Sequence, residues 1–173
     1  MPRAIRVLNP AERGGRPVVD TVLLDYAQRS AQKIAVTGLK GGQFEIALAD
    51  PARLRTDDAL LLDDGSLIEV VAAPEPLIEA RASDLAHLAR LAWHLGDRHV
   101  PAQLFANRIR VRREPAIEAL LRSLGAKLAL IEAPFEPEGG AYASAHGQAH
   151  DHAHDREHAH GHHPGHAHHH HDH

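Results

Sequence analysis

The carboxyl-terminal segment limits how much of this chain can fold. From Gly139 to His173 the sequence has no hydrophobic periodicity, and histidine, alanine, glycine and aspartate dominate it. Such a composition cannot bury enough apolar surface to offset the conformational entropy lost on folding. We therefore expect residues 139–173 to form a disordered tail after a folded part. The 43% apolar content of the chain supports a core there, and the 3% aromatic content indicates mainly aliphatic packing.

The tail is also the richest source of metal ligands. Three of the 17 histidines precede it, and all the others lie within it. Neutral imidazole suits nickel, copper, zinc and cobalt, and its ordinary pKa of about 6.5 leaves most of these side chains free to bind at neutral pH. The closely spaced histidines allow many alternative chelates of similar strength. Such a tail would exchange ions quickly, which suits collecting and delivering ions more than catalysis. A purification tag is the alternative, although the longest histidine run, His168–His171, is short and other residues are interspersed. The predicted tail ligands are His146, His150, His152, His154, His158, His160, His162, His163, His166, His168, His169, His170, His171 and His173.

Composition excludes several classes of function and partner. Cysteine is absent, which removes disulfides, thiolate metal sites and thiol catalysis. Acidic residues outnumber basic ones, 23 against 19, so nucleic acid is not an expected partner. No apolar run is long enough to cross a bilayer, and the first residues lack the apolar region of a signal peptide. We expect no membrane partner and a cytoplasmic location.

Residues 1–75 are expected to form a small all-β domain. Short apolar runs such as Ile34–Thr37 and Phe44–Leu48 alternate with turn signals. Asp63-Asp64-Gly65-Ser66 predicts a hairpin turn between two apolar strands. This pair of aspartates and Asp57-Asp58 fit turns better than a paired acid and base, so no catalytic site is expected. Pro74-Glu75-Pro76 predicts a linker, because proline interrupts strands and helices alike.

Residues 76–138 predict the order β-α-β-β-α-β of a ferredoxin-like domain, so the whole fold is assigned to the α+β class. The first helix is expected to begin at an N-cap on Ser83 and to end at Gly96, where a left-handed backbone costs least. The second is expected to begin at Pro115 and to end at Gly125. The apolar face of the first helix is expected to comprise Leu85, Leu88, Leu91, Ala92 and Leu95.

The histidines and arginines of this domain need separate interpretations. His99 lies in the turn beyond the first helix, where an imidazole can point away from the core, and the tail favours a metal site there over a surface or capping role. His87 and His94 are seven residues apart on one helix, about 10 Å along its axis, so they cannot chelate one ion together and are interpreted as structural. Arg108, Arg110, Arg112 and Arg113 form a basic cluster, whose first three members predict the solvated face of a strand, with docking to an acidic partner as the alternative.

With these features together, the chain resembles the UreE family of urease accessory nickel metallochaperones. The most specific match is Trp93-His94-Leu95-Gly96-Asp97-Arg98-His99, which is similar to the family's helix-end motif His-Leu-Gly-Asn-Arg-His. The first half resembles the family's peptide-binding β domain through Arg29, Lys33, Asp63-Asp64-Gly65 and Ile68-Glu69-Val70.

The resemblance implies a homodimer in which the two copies of His99 share one nickel ion. It also implies delivery of Ni(II) as cargo to the urease activation complex, including its accessory GTPase; Zn(II) or Cu(II) would satisfy the same ligands. Asp97 departs from the family's usual asparagine. The strand near Arg112–Pro115 lacks the further histidines of some members, which would leave their work to the tail.

Two other functions fit the residues. A storage or buffering protein for nickel or zinc would bind ions without forming a specific complex with a recipient. A metal-dependent hydrolase is a weaker alternative, because a catalytic metal usually has three fixed protein ligands.

Overall fold

A computed structural model describes residues 1–48 and 53–139 of the chain, which contain two β-sheets. The elements of the first half are β1 Arg3–Leu8, α1 Pro10–Arg13, β2 Asp20–Leu24, α2 Tyr26–Arg29, β3 Lys33–Thr37, β4 Gln43–Ala47, β5 Ala59–Leu62 and β6 Leu67–Ala72. Those of the second half are β7 Pro74–Arg81, α3 Leu85–Asp97, β8 Gln103–Leu104, β9 Arg108–Arg112, α4 Pro115–Ser123 and β10 Lys127–Pro134. The first sheet has six strands in the order β2-β6-β5-β1-β4-β3, and the second has four in the order β10-β7-β9-β8.

The first half is strand-rich, as expected, but it also contains two unpredicted single-turn helices. Each begins with a capping box, in which the N-cap side chain and the side chain three residues later bond to each other's backbone N–H groups. The N-caps are Asn9 and Asp25. The predicted hairpin is confirmed, since β5 and β6 pair antiparallel with Leu61 opposite Leu67. The sheet is mixed, because β1–β4 and β2–β6 are parallel pairs.

The second half has the predicted element order, with both helices on one face of its sheet. Ile78 and Ala80 of β7 and Ile109 and Val111 of β9 pack against the helices, which bury Leu91, Leu95, Ile117 and Leu121. Pro115 occupies the first turn of α4, and Gly125 follows that helix with a φ of 82°, as predicted. The predicted buried face of α3 is wrong at its first residue, because Leu85 is 76% exposed.

The interpretation of Pro74-Glu75-Pro76 as a linker is wrong, because these residues begin strand β7. The ladder between β7 and β9 ends where Leu77 of β7 lies opposite Arg112 of β9. Residues 74–76 of β7 lie beyond that ladder, and β10 is the strand that pairs with them. The Pro76 carbonyl accepts from the Arg113 N–H on the β9 side, and the N–H that proline lacks would point to that same side. The missing donor therefore costs only the reciprocal bond to Arg113 at the end of this ladder and leaves the pairing with β10 intact.

The segment after β10 ties the two sheets together. The Arg29 side chain is 2% exposed and donates to the carbonyls of Leu24, Leu54 and Phe135. Burial lowers the pKa of Arg29 from its ordinary value and outweighs the opposing effect of the Glu136 carboxylate, which lies 3.9 Å away. Residues 1–138 form one compact unit, and the predicted division at residue 75 stays a prediction. No helix among the described residues has the length and apolar content needed to cross a membrane.

Candidate metal centre

The helix that carries the candidate ligand is fixed at its first turn by an aspartate. Asp84, not Ser83 as predicted, is the N-cap of α3, and its Oδ1 accepts from the His87 N–H at 2.8 Å. Ser83 instead donates its hydroxyl to Asp84 Oδ2 at 2.9 Å. These hydrogen bonds hold the pKa of Asp84 below its ordinary value, so the cap remains ionised at neutral pH.

His99 itself forms the left-handed end of α3. Gly96 lies inside the helix, contrary to the prediction that it would end it, and His99 has a φ of 54°. The His99 N–H donates to the Gly96 carbonyl at 2.9 Å, and the Val100 N–H donates to the Leu95 carbonyl at 3.0 Å. This is the Schellman arrangement, in which glycine usually occupies the position held here by His99.

Apolar packing holds the chain in this conformation. Leu95 is fully buried, and Val100 packs against the same core cluster, so the two residues meet across the helix end. Contact between these positions commonly accompanies the Schellman arrangement. The left-handed region disfavours most side chains, although histidine enters it several times more often than most other residue types. The core therefore fixes the His99 backbone while its side chain stays exposed.

The charges beside His99 form a local pair. Arg98 Nη1 lies 3.7 Å from Asp97 Oδ2 and also donates to the His94 carbonyl at 3.1 Å. Both charged side chains are about half exposed, so their attraction is weak. Asp97 nevertheless has a cationic neighbour that partly balances the charge it adds relative to asparagine.

The other two histidines of the described residues are placed differently. His87 Nδ1 accepts from the Ser83 N–H at 3.1 Å, and His87 Nε2 donates to the Leu124 carbonyl at 2.9 Å. With both ring nitrogens engaged, His87 joins the start of α3 to the end of α4, which fits its interpretation as structural. His94 is partly buried and stacks edge-on against Trp93, with ring centroids 5.0 Å apart.

No group of three histidine, aspartate or glutamate side chains that could hold a metal ion occurs within residues 1–48 and 53–139. The described part of the chain therefore does not supply His99 with the two further ligands that would complete a group of three. The predicted tail ligands, His146 to His173, lie outside the described residues.

The structure also reveals which residues fix the start of the tail. The Glu138 N–H donates to the Ala102 carbonyl at 2.8 Å, three residues beyond His99. Arg53 donates to the carbonyls of Pro137 and Glu138, both at 2.8 Å. Sequence reasoning missed this anchor, because hydrogen bonds from a distant arginine to backbone carbonyls leave no pattern in the sequence.

Comparisons with known proteins cover both halves of the chain. A family model described as "UreE urease accessory protein, N-terminal domain" matches residues 4–73, and one described as "UreE urease accessory protein, C-terminal domain" matches residues 75–173. A protein named "Urease accessory protein UreE" from Bradyrhizobium sp. (strain BTAi1) is 53% identical over 86% of this chain and 72% of its own length. Proteins of the same name from Rhodopseudomonas palustris (strain HaA2) and Beijerinckia indica are 55% and 47% identical, over 75% and 84% of this chain and 60% and 83% of their own lengths.

Proposed function

The chain belongs to the UreE family of urease accessory proteins, and from this premise we propose that it is a metallochaperone that delivers Ni(II) for assembly of the urease active site. Its partners in this proposal are the urease activation complex and the accessory GTPase of that complex, and its location is the cytoplasm. The four-stranded sheet, with its order β10-β7-β9-β8 and two helices on one face, supports a ferredoxin-like assignment for the second half.

The observation that carries the proposal is the placement of His99. Its imidazole is exposed at the end of a helix whose backbone is fixed by the core, and the described residues do not complete a three-ligand group around it. One imidazole does not hold nickel tightly, so the site needs ligands from elsewhere. In a two-fold dimer a residue near the axis meets its own copy, because the interface uses the same surface on both subunits. Two copies of His99 would then supply two nitrogens and leave positions open for exchange.

The exposed face of α3 supports such a dimer. Trp93 is 65% exposed and Leu85 is 76% exposed, and the exposed Ala86 and Ala89 lie beside them at helical spacing. A contiguous apolar strip on a folded surface commonly marks an interaction site, and tryptophan is among the residues enriched at interfaces. We propose that this strip packs against its copy, so that the helix ends carrying His99 approach each other.

The start of the tail lies close enough for tail histidines to complete the coordination. Glu138 is hydrogen-bonded to Ala102, and Ala102 is three residues from His99. At no more than about 3.6 Å per residue, His146 can travel about 29 Å from Glu138, which covers that separation. Tethering also gives the tail histidines an effective concentration at the site in the millimolar range for a short linker. A tail ligand could therefore replace water on the ion and take the ion away again.

Nickel titration calorimetry tests the site. The chain truncated after Glu138 is compared with its His99→Ala, His94→Ala and His87→Ala variants. We expect the truncated parent to bind one ion tightly per two chains, and His99→Ala alone to lose that site. Loss of the site in His94→Ala or His87→Ala, with His99→Ala unchanged, would show that the wrong histidine is assigned.

A transfer experiment separates delivery from storage. The nickel-loaded full-length chain is incubated with the urease activation complex, and urease activity is followed with the His99→Ala variant as the matched control. We expect activation by the parent and slower activation by the variant. A nickel-loaded parent that neither associates with the complex nor activates it would support the storage function.

A further inference from the structure

The sheet face opposite the helices carries an unusual concentration of positive charge. On neighbouring strands, Lys127 of β10 lies opposite Arg81 of β7, which lies opposite Arg108 of β9. Arg110 and Arg112 follow at alternate positions of β9 and point to the same face. These five residues are called the basic face below. The sequence left open whether its arginines serve solvation or docking.

The row of like charges on this face is electrostatically unfavourable. Like charges directly opposite each other on neighbouring strands destabilise a sheet, and the basic face contains such a row across three strands. Glu79 of β7 lies among these cations and is 7% exposed, and Arg112 at the end of β9 lies 3.9 Å from Glu114. Three arginines share Glu79: Arg81 Nη2 and Arg110 Nε donate at 3.1 and 3.0 Å, and Arg108 Nε lies 3.1 Å away.

Glu79 remains ionised but cannot neutralise its neighbours. Burial opposes its ionisation, yet the hydrogen bonds from Arg110 and Arg81 outweigh burial and hold the pKa of Glu79 below its ordinary value. A single negative charge facing three guanidinium groups leaves most of their positive charge uncompensated. The Arg81 side chain is 57% exposed, so this charge is accessible to a partner.

An aromatic ring holds two of the guanidinium groups in place. The guanidinium carbons of Arg108 and Arg110 lie 4.5 and 4.8 Å from the centroid of the Phe105 ring. Their side chains are 29% and 21% exposed, so they are partly packed and still reach solvent. Because stacking fixes these groups in advance, a partner loses less side-chain entropy on binding them.

We propose that the basic face docks an extended acidic peptide segment of a partner protein. The Arg108 and Arg110 side chains converge on Glu79 Oε2, whereas Arg112 leaves the backbone of β9 about 6.8 Å beyond Arg110, which is also the spacing of alternate residues in an extended peptide. A peptide lying along β9 can therefore pair one acidic side chain with Arg108 and Arg110 together and the next side chain on the same face with Arg112. The match to the repeat of an extended peptide favours this occupant, and nucleic acid is the competing outcome of the test. The proposal goes beyond metal delivery and requires no metal.

Fluorescence anisotropy with a labelled oligo-glutamate peptide tests the proposal on the metal-free full-length chain. The double variant Arg108→Gln/Arg110→Gln removes two cations from the basic face. The control Arg16→Gln/Arg122→Gln removes the same charge from exposed positions elsewhere. Each lost arginine–carboxylate pair should lower the affinity for the peptide about threefold. We therefore expect peptide binding to weaken about tenfold in the first variant and to change less than twofold in the control. Added salt should weaken binding by the parent.

A second variant has an effect of opposite sign. Glu79→Gln removes the internal competitor for the arginines with little change in shape, so we expect it to bind the peptide more tightly than the parent. Circular dichroism shows whether the double variant folds. If it does not, Glu79→Gln and Arg81→Gln test the proposal, and peptide binding by Arg81→Gln should be about threefold weaker than by the parent.

Three results would overturn the proposal: equal weakening in the variant and its control, unchanged binding in Glu79→Gln and Arg81→Gln, or tighter binding of a single-stranded oligonucleotide of equal charge. Because no nickel is present, these results are independent of the metal-delivery experiments.

Discussion

Replacing His99 with glycine should stabilise the fold while removing the proposed nickel site. His99 has a φ of 54°, and an L-residue in the left-handed region costs roughly 1 to 2 kcal/mol. Glycine avoids that cost but loses about 0.5 to 1 kcal/mol more backbone entropy on folding. The difference favours glycine by about 0.5 kcal/mol. Since the imidazole is exposed, its removal deletes little packing that would offset this gain.

Urea denaturation of the chain truncated after Glu138 measures the effect. With a denaturant slope of about 1.5 kcal/mol per molar, a gain of about 0.5 kcal/mol raises the unfolding midpoint by roughly 0.3 M. The titration is run with a chelator and at fixed protein concentration, because both metal and dimer formation change apparent stability. His99→Ala is the matched control: it also loses the ligand but keeps a Cβ in the left-handed region, so its midpoint should stay near that of the parent.

The outcome that refutes this reasoning is a lower midpoint for His99→Gly than for His99→Ala. Such a result would mean that the backbone of the parent is not strained at this position. A large loss of stability in both variants would mean that the imidazole packs against the fold, and the side chain would then have a structural role. Nickel calorimetry on the same samples should show loss of the tight site in both variants.

Four further predictions follow from the same structure. Trp93→Glu should convert the proposed dimer to monomers in sedimentation equilibrium, whereas Leu39→Glu, at an equally exposed leucine outside α3, should not; a dimer that survives Trp93→Glu would exclude the α3 strip as its interface. His87→Ala should lower the free energy of unfolding by about 1 to 2 kcal/mol, because two hydrogen bonds to the backbone are lost, and should leave nickel stoichiometry unchanged. Stability should fall as pH is lowered below 4.5, the ordinary pKa of glutamate, because the folded pKa of Glu79 lies lower; Glu79→Gln should show a weaker dependence in urea titrations. Nickel stoichiometry of the full-length chain should decline as pH falls through about 6.5, and retention near pH 5 would indicate carboxylate ligands.

The sequence predicted elements best where one short pattern determined the structure. The aspartate-glycine turn at Asp63–Ser66 and the Pro115 and Gly125 limits of α4 are local signals, and each was confirmed. The four-residue helices were missed because their capping boxes are not followed by a hydrophobic period. Pro74-Glu75-Pro76 misled because its compatibility with a strand depends on where β9 ends, which is a property of the sheet.

Long-range interactions could not be predicted either, because their partners are far apart in the sequence and no short pattern contains both. Arg29 was matched to a family pattern, but its three carbonyl acceptors are distributed over residues 24–135. The sequence likewise contains both Arg53 and Glu138 without indicating that one anchors the other. Among the candidate ligands, His99 was placed correctly in the turn beyond α3, while the reason for its left-handed backbone required the structure.

The end of α3 connects the fold to the proposed chemistry. Glycine at position 96 predicted the end of the helix, but the Val100 N–H bonds back to the Leu95 carbonyl and both residues pack in one core cluster, so the chain reverses at residue 99. The residue that reverses the chain is consequently the candidate metal ligand. A helix carries partial negative charge at its carboxyl end, which favours a nearby cation by about 0.3 to 1 kcal/mol. In the proposed site, that contribution would help an ion to reside at His99 without adding a fixed ligand, so the ion would keep open positions through which a tail histidine or a recipient protein could remove it.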